Sequence, residues 1–229
     1  MGIDAEFFDN PQPRCAVVLL LDNSGSMIGE PISQLNTCVE KFKKGLEKDV
    51  LASQRVEVAV VTFGHTVSSQ DFVPIHQFIP PVLQVQDVLK LGETTPMGSA
   101  IHLALDMLAI RKDDYKNHGV PYFCPWVLLI TDGVPTDPCY GAAQRIWRAE
   151  DDGEVTFLAI GVQNANMNIL TQTVPKNRPP ALWSNLNFES LYSELSLYAE
   201  LRQERLLFHQ RCTDDAPPVT LSPPTWGIV

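Results

Sequence analysis

The chain has 229 residues, 45% of them hydrophobic, and a formal net charge of -10. That length and apolar content suit one domain with a sizeable core, with or without extensions. The acidic balance argues against nucleic acid, whose binding draws on phosphate neutralisation, and against docking on anionic lipid.

The opening stretch MGIDAEFFDNPQPR is acidic and has no apolar core. It reads as a short extension, residues 1–13, and not as a signal peptide. Position 6 is Glu, which breaks the myristoylation pattern despite Gly2. No apolar run approaches the roughly 18 residues that span a bilayer. The five cysteines, Cys15, Cys38, Cys124, Cys139 and Cys212, are odd in number and contain no CxxC. They read as reduced thiols, and with the missing targeting signals they place the expected site of action in the cytoplasm.

In chain order, Ala16 to Leu21 is a continuous apolar strand, followed at once by DNSGSM. Ile32, Leu35, Val39, Phe42 and Leu46 recur at steps of three and four, the stripe of an amphipathic helix. Lys41, Lys43, Lys44 and Lys48 on the same helix read as its solvated face. Val56 to Phe63 is a second strand. Val67 to Phe78 reads as a weaker strand pair or an edge strand, interrupted by Pro74.

Pro80-Pro81 breaks the chain, and LGETTPMGSA leads into a helix from near Met97 through Ala100, Ile101, Ala104, Leu105 and Leu108. Arg111 to Pro125 is polar with Gly and Pro and reads as a loop, whose Tyr115, Tyr122 and Phe123 are candidates for the rim of a binding face. Trp126 to Ile130 is a third buried strand, running into TDG. A helix over Ala142 to Glu150, a strand over Val155 to Ile160, a short helix over Asn168 to Thr173 and a short strand at Ala181-Leu182-Trp183 follow. Phe188, Leu191, Leu195 and Tyr198 mark a final helix. The segment 212–229 is acidic and then proline-rich, a tail with Trp226 as a possible anchor.

Strand–helix alternation predicts an α/β fold, a doubly wound and mostly parallel sheet with helices on both faces. Sites in such sheets lie beyond the carboxyl ends of the strands. Asp22, Ser24 and Ser26 leave the first strand there, Thr94 and Thr95 lie before the Met97 helix, and Asp132 leaves the Trp126 strand. Each fragment has an ordinary explanation as well: Asp22 or Ser24 as a helix N-cap, Asp132-Gly133 as a turn, Thr95-Pro96 as a helix start. Gathered together they form a set of hard oxygen donors of the kind magnesium takes, with manganese or calcium admitted by the same set. A partner's carboxylate would complete the coordination of a cation so held. The five histidines show no ligand-like pairing, and neither a phosphate-binding GxxxxGK[ST] loop nor a GxSxG elbow occurs. A magnesium phosphohydrolase with Asp22 as nucleophile is the alternative chemistry. It lacks the usual second acid two residues on, where Ser24 stands.

DNSGSM (Asp22–Met27), TTPMGSAI (Thr94–Ile101) and ITDG (Ile130–Gly133) resemble the metal-ion-dependent adhesion site of von Willebrand factor type A domains. The resemblance covers about residues 14–200, within a domain expected over 14–211. It implies Ser24, Ser26 and Thr95 as hydroxyl ligands, with Asp22 and Asp132 acting mainly through bound water. Many members carry Gly-Gly-x-Thr, whereas this chain has Gly92-Glu93-Thr94-Thr95. Thr95 is the choice because it stands three residues before Gly98, and Thr94 is the alternative. LLLDNSGSMIGEPI and LLITDGVPTD further resemble the bacterial TerY-like group associated with tellurium resistance. That resemblance implies a non-enzymatic adaptor with a kinase-like protein and a PP2C-type phosphatase among its partners. A scaffold that binds through the final helix and tail is a further alternative.

Overall fold

The computed structural model describes residues 10, 12–85, 94–133, 135–163 and 165–185. Six strands form one sheet: β1 (Cys15–Asp22), β2 (Val56–Phe63), β3 (Val67–Pro74), β4 (Trp126–Thr131), β5 (Thr156–Gly161) and β6 (Ala181–Leu182). Their spatial order is β3-β2-β1-β4-β5-β6. All neighbours pair in parallel except β2 and β3, which are antiparallel. This is the mostly parallel, doubly wound sheet that the strand–helix alternation predicts.

The central strand explains its own composition. Every residue of β1, CAVVLLLD, is buried, because helices cover both faces of the sheet. Val17, Leu19 and Leu21 pack with helix α1 (Glu30–Lys48) through Leu35, Val39, Phe42 and Leu46. Ala16, Val18 and Leu20 face the opposite layer, with helix α3 (Met97–Asn117), α4 (Tyr140–Asp151) and α5 (Met167–Thr173). Full burial of each large aliphatic side chain contributes about 1.5–3 kcal/mol.

The segment expected as a loop from Arg111 to Pro125 is helical as far as Asn117. The stripe of Ala104, Leu108, Arg111 and Tyr115 continues at steps of three and four, all of them buried. A charged residue on the buried face hid the continuation, and Arg111 is accommodated there by Glu57. The helix ends in a Schellman motif: Gly119 has φ 65, its amide donates to Lys116 O at 3.2 Å, and the Val120 amide donates to Tyr115 O at 2.8 Å. Tyr115 and Phe123 are core residues, 1% and 5% exposed, and so form no rim.

Three smaller differences are local. Val67 to Phe78 contains one edge strand, ended at Pro74, after which Ile75 and Phe78 turn into the core. A short helix α2 (Val50–Arg55) was not expected; Asp49 caps it by accepting from the Leu51 and Ala52 amides at 2.9 and 3.0 Å. Trp183 opens a 3-10 turn after β6 and is not part of the strand. The expected final helix from Phe188 to Tyr198 and the tail with Trp226 lie outside the described residues. Among the described residues no helix is long and apolar enough to cross a membrane.

Candidate metal centre

The parallel strands bring their carboxyl ends to one edge. Asp22 pairs with Phe63 at the end of β2, Leu21 pairs with Ile130, and Thr131 pairs with Gly161. The loops leaving these strands are tied to one another by specific bonds. The Asn23 amide donates to Phe63 O at 2.9 Å, and the Thr94 hydroxyl donates to Gly64 O at 3.1 Å. The Thr95 amide donates to Thr136 Oγ1 at 2.7 Å, while the Thr136 amide returns a bond to Thr95 O at 3.0 Å. The Thr131 hydroxyl donates to Asp22 Oδ2 and accepts from the Gly133 amide. The β1, β2, Thr95 and β4 loops thus close a ring around one point.

The side chains expected at that point are all in these loops. Asp22, Ser24, Thr95 and Asp132 are 0%, 2%, 5% and 7% exposed, whereas Ser26 is exposed and lies at the mouth. Ser24 Oγ and Ser26 Oγ are 3.1 Å apart. The Ser24 amide donates to Asp22 Oδ1 at 2.9 Å, so the aspartate folds its own loop back as an Asx turn. The helix-capping role considered for Asp22 or Ser24 does not occur. Ser24 precedes a 3-10 turn without making a side-chain cap, and the N-cap position of α1 is held by Gly29, which has no side chain to cap with. The same short oxygen-bearing side chains serve caps and ligand loops alike, so local sequence did not separate the two.

Burial pushes the Asp22 carboxyl up to about 6; hydrogen bonds from Ser24 and Thr131 hold it down, and the charge of Asp132 adds to the rise. The charge of Asp132 thus opposes that of the buried Asp22, which the charge of a cation would relieve. Among the described residues no three His, Cys, Asp or Glu side chains cluster. A cation held here therefore depends on hydroxyl donors. Ser24, Ser26 and Thr95 are the hydroxyls that could supply those, and such an all-oxygen set would fit a hard divalent ion. Gly133 lets the Asp132 loop turn: its φ is 79, and a Cβ there would lie 3.0 Å from Leu170 Cγ and 3.1 Å from Asn166 O.

The model of the von Willebrand factor type A domain matches residues 16–194. The chain belongs to the von Willebrand factor type A family. No curated protein matches this chain significantly. Solved structures share the fold of this von Willebrand factor type A chain at low identity. Proximal thread matrix protein 1 of the mussel byssus is 18% identical with a TM-score of 0.50, over 84% of this chain and 48% of that one. The pilus adhesin SpaC of Lactobacillus rhamnosus GG is 17% identical with a TM-score of 0.55, over 83% of this chain and 30% of that one. The vWF domain of the pili tip protein Mfa5 of Porphyromonas gingivalis is 11% identical with a TM-score of 0.53, over 90% of this chain and 99% of that one. The chain thus spans less than half the length of the first two.

Thr131 and Thr136 were not singled out as site residues from sequence. Thr131 is a polar residue closing an apolar strand, which is the one local sign of its role. The part played by Thr136 depends on a contact with Thr95, 41 positions away, and has no local sign.

Proposed function

We propose that this domain binds a divalent cation through Ser24, Ser26, Thr95, Asp22 and Asp132, and uses it to grip an acidic side chain of a protein partner. The observation that supports the reading is the ring of inter-loop bonds, which ties the loops bearing these five residues to one another at the carboxyl edge of the sheet. Hydroxyls in direct contact, with the carboxylates acting through water, leave the cation short of negative charge. A partner's carboxylate is then a strong ligand at the remaining position. Magnesium is the cation that the hard oxygen set favours. The deep placement of Asp22 and the exposure of Ser26 suit a site fixed at its floor and open at its mouth.

An adhesive, non-enzymatic role is in keeping with the pilus adhesin and the pili tip protein that share the fold. LLLDNSGSMIGEPI and LLITDGVPTD support a finer reading, a TerY-like cytoplasmic adaptor beside kinase-like and PP2C-type phosphatase partners. The test has two arms. Calorimetric titration with Mg2+ is expected to give one site in the wild type and none in Ser24→Ala/Ser26→Ala. A pull-down from the native lysate is expected to retain a partner in Mg2+ and lose it in EDTA. Unchanged Mg2+ affinity in the double variant would refute the assignment.

A further inference from the structure

Helix α3 starts without a local cap. Pro96 occupies the N-cap position and makes no side-chain cap bond, so the first amides need an acceptor from elsewhere. Asp137 supplies it from the loop after β4. Its Oδ1 accepts from the Gly98 amide at 2.9 Å, and its Oδ2 accepts from the Ser99 amide at 2.8 Å and the Ser99 hydroxyl at 2.9 Å. A carboxylate at this end also complements the dipole of a 21-residue helix. One residue earlier, Thr136 takes both main-chain groups of Thr95: its Oγ1 accepts from the amide at 2.7 Å and its amide donates to the carbonyl at 3.0 Å. The contact is close as well, since a Cβ on Gly98 would fall 2.7 Å from Pro138 O. Thr136 thus holds both the amide and the carbonyl of Thr95.

We propose that Thr136 and Asp137 are positioning residues that fix Thr95 against the Asp132 loop and thereby set the site's preference for Mg2+ over Ca2+. The inference rests on the reading of Thr95 and Asp132 as residues of the cation site. Its physical basis is the difference between the ions. Mg2+ demands near-ideal octahedral geometry at about 2.0–2.1 Å, while Ca2+ accepts about 2.3–2.6 Å and variable coordination. A few tenths of an ångström of slack between the two loops therefore penalises Mg2+ more than Ca2+. A clamp that acted only on stability would leave the ratio of the two affinities unchanged.

The experiment is calorimetric titration of the full chain with Mg2+ and, separately, Ca2+. Thr136→Val is expected to weaken Mg2+ on the order of tenfold, the size typical of losing a residue that orients a ligand, with a smaller loss for Ca2+. Thr136→Ser, which keeps the acceptor hydroxyl, is expected to restore the wild-type ratio. Asp137→Asn, which keeps one of the two acceptor oxygens, is expected to lower the ratio in the same direction and carries the test if the valine variant does not fold. Equal weakening of both ions, or wild-type Mg2+ affinity in folded Thr136→Val, overturns the inference while Ser24→Ala/Ser26→Ala still abolishes binding. If that double variant also binds Mg2+ normally, the cation reading itself fails, and the inference falls with it.

Discussion

Replacing Glu57 by Gln tests what holds the far edge of the sheet. Glu57 is 2% exposed and lies between two buried cations. Its Oε2 accepts from Arg111 Nε at 2.9 Å, Arg111 Nη2 at 2.6 Å and the Tyr115 hydroxyl at 2.6 Å. Its Oε1 lies 3.0 Å from Arg14 Nε. Burial, followed by the charge of Glu57, pushes the Tyr115 phenol well above its ordinary value. Glu57→Gln keeps the shape and removes the carboxylate charge that Arg14 and Arg111 share. Breaking a buried pair in this way costs about 3–5 kcal/mol, a large share of the roughly 5–15 kcal/mol that holds a domain folded. Urea denaturation at pH 7 in EDTA measures the loss directly. Glu57 pairs with Ala16, whereas Phe63 pairs with Asp22. The cluster therefore lies about 20 Å along the strand from the candidate metal centre. Mg2+ affinity at 25 °C is accordingly expected to stay within about twofold of wild type, well inside the tenfold that 1.4 kcal/mol would produce. A stability loss below about 1 kcal/mol would refute the reasoning, since that is the scale of an exposed pair. Converting the cluster together to Met at 14, Leu at 57, Met at 111 and Phe at 115 is expected to recover most of the loss, because replacing all partners by apolar groups leaves no buried charge.

Gly64→Ala is expected to destabilise the fold by about 1–3 kcal/mol and to weaken Mg2+, because the new Cβ would lie 2.7 Å from Asn23 Oδ1 and 2.9 Å from the Asn23 carbonyl oxygen; wild-type melting and affinity would refute this. Thr95→Ala is expected to weaken Mg2+ by about tenfold or more and Thr94→Ala by clearly less, measured by calorimetry, and the reverse order would assign the hydroxyl to Thr94. Stability is expected to fall as pH rises above about 9. Burial holds the Cys15 thiol at about 12 and raises that of Cys38 as well. The unfolded thiols lose their protons first, so the unfolded state binds fewer protons and the slope is negative, about 1.4 kcal/mol per pH unit per thiol across the window between the two values. Urea midpoints from pH 8 to 11 measure it, and a Cys15→Ala/Cys38→Ala variant with the same slope would refute it.

The central strands were legible because both faces of the sheet are covered there: an eight-residue run such as CAVVLLLD admits no solvent-facing position. The three oxygen-bearing segments were legible for a related reason, since parallel strands deliver their carboxyl ends to one edge whatever the loops do. What escaped depends on partners distant in sequence. Arg111 looked like the start of a loop because its buried partner Glu57 is 54 positions away. Asp22 and Ser24 looked equally suited to capping, and the decision lies with Thr131, which turns the Asp22 carboxylate from 109 positions away. Asp137 gave no sign of capping α3, because caps are sought within a few residues of a helix start and this one lies 38–39 positions downstream.

The two edges of the sheet treat buried charge in opposite ways. At the amino edge Glu57 is surrounded by two guanidinium groups and a phenol, so its charge is matched within the chain. At the carboxyl edge, among the described residues, Asp22 accepts from neutral donors, Ser24 and Thr131, and a second carboxylate, Asp132, raises its pKa further. A chain that needed only a stable edge would place a Lys or Arg beside such a pair, as it does around Glu57. Hydroxyls stand in that position instead. They stabilise the carboxylate enough to keep the loop folded, yet as neutral groups they bring no counter-charge to it. That charge is then available to a cation arriving from solvent past the exposed Ser26. The matched edge holds the strands in register, and the register fixes how far apart the loops of the unmatched edge begin. Stability at one end of β1 is in this sense a condition for geometry at the other, which is why a loss at Glu57 is expected to appear in the urea midpoint and not in the metal affinity of the molecules that remain folded.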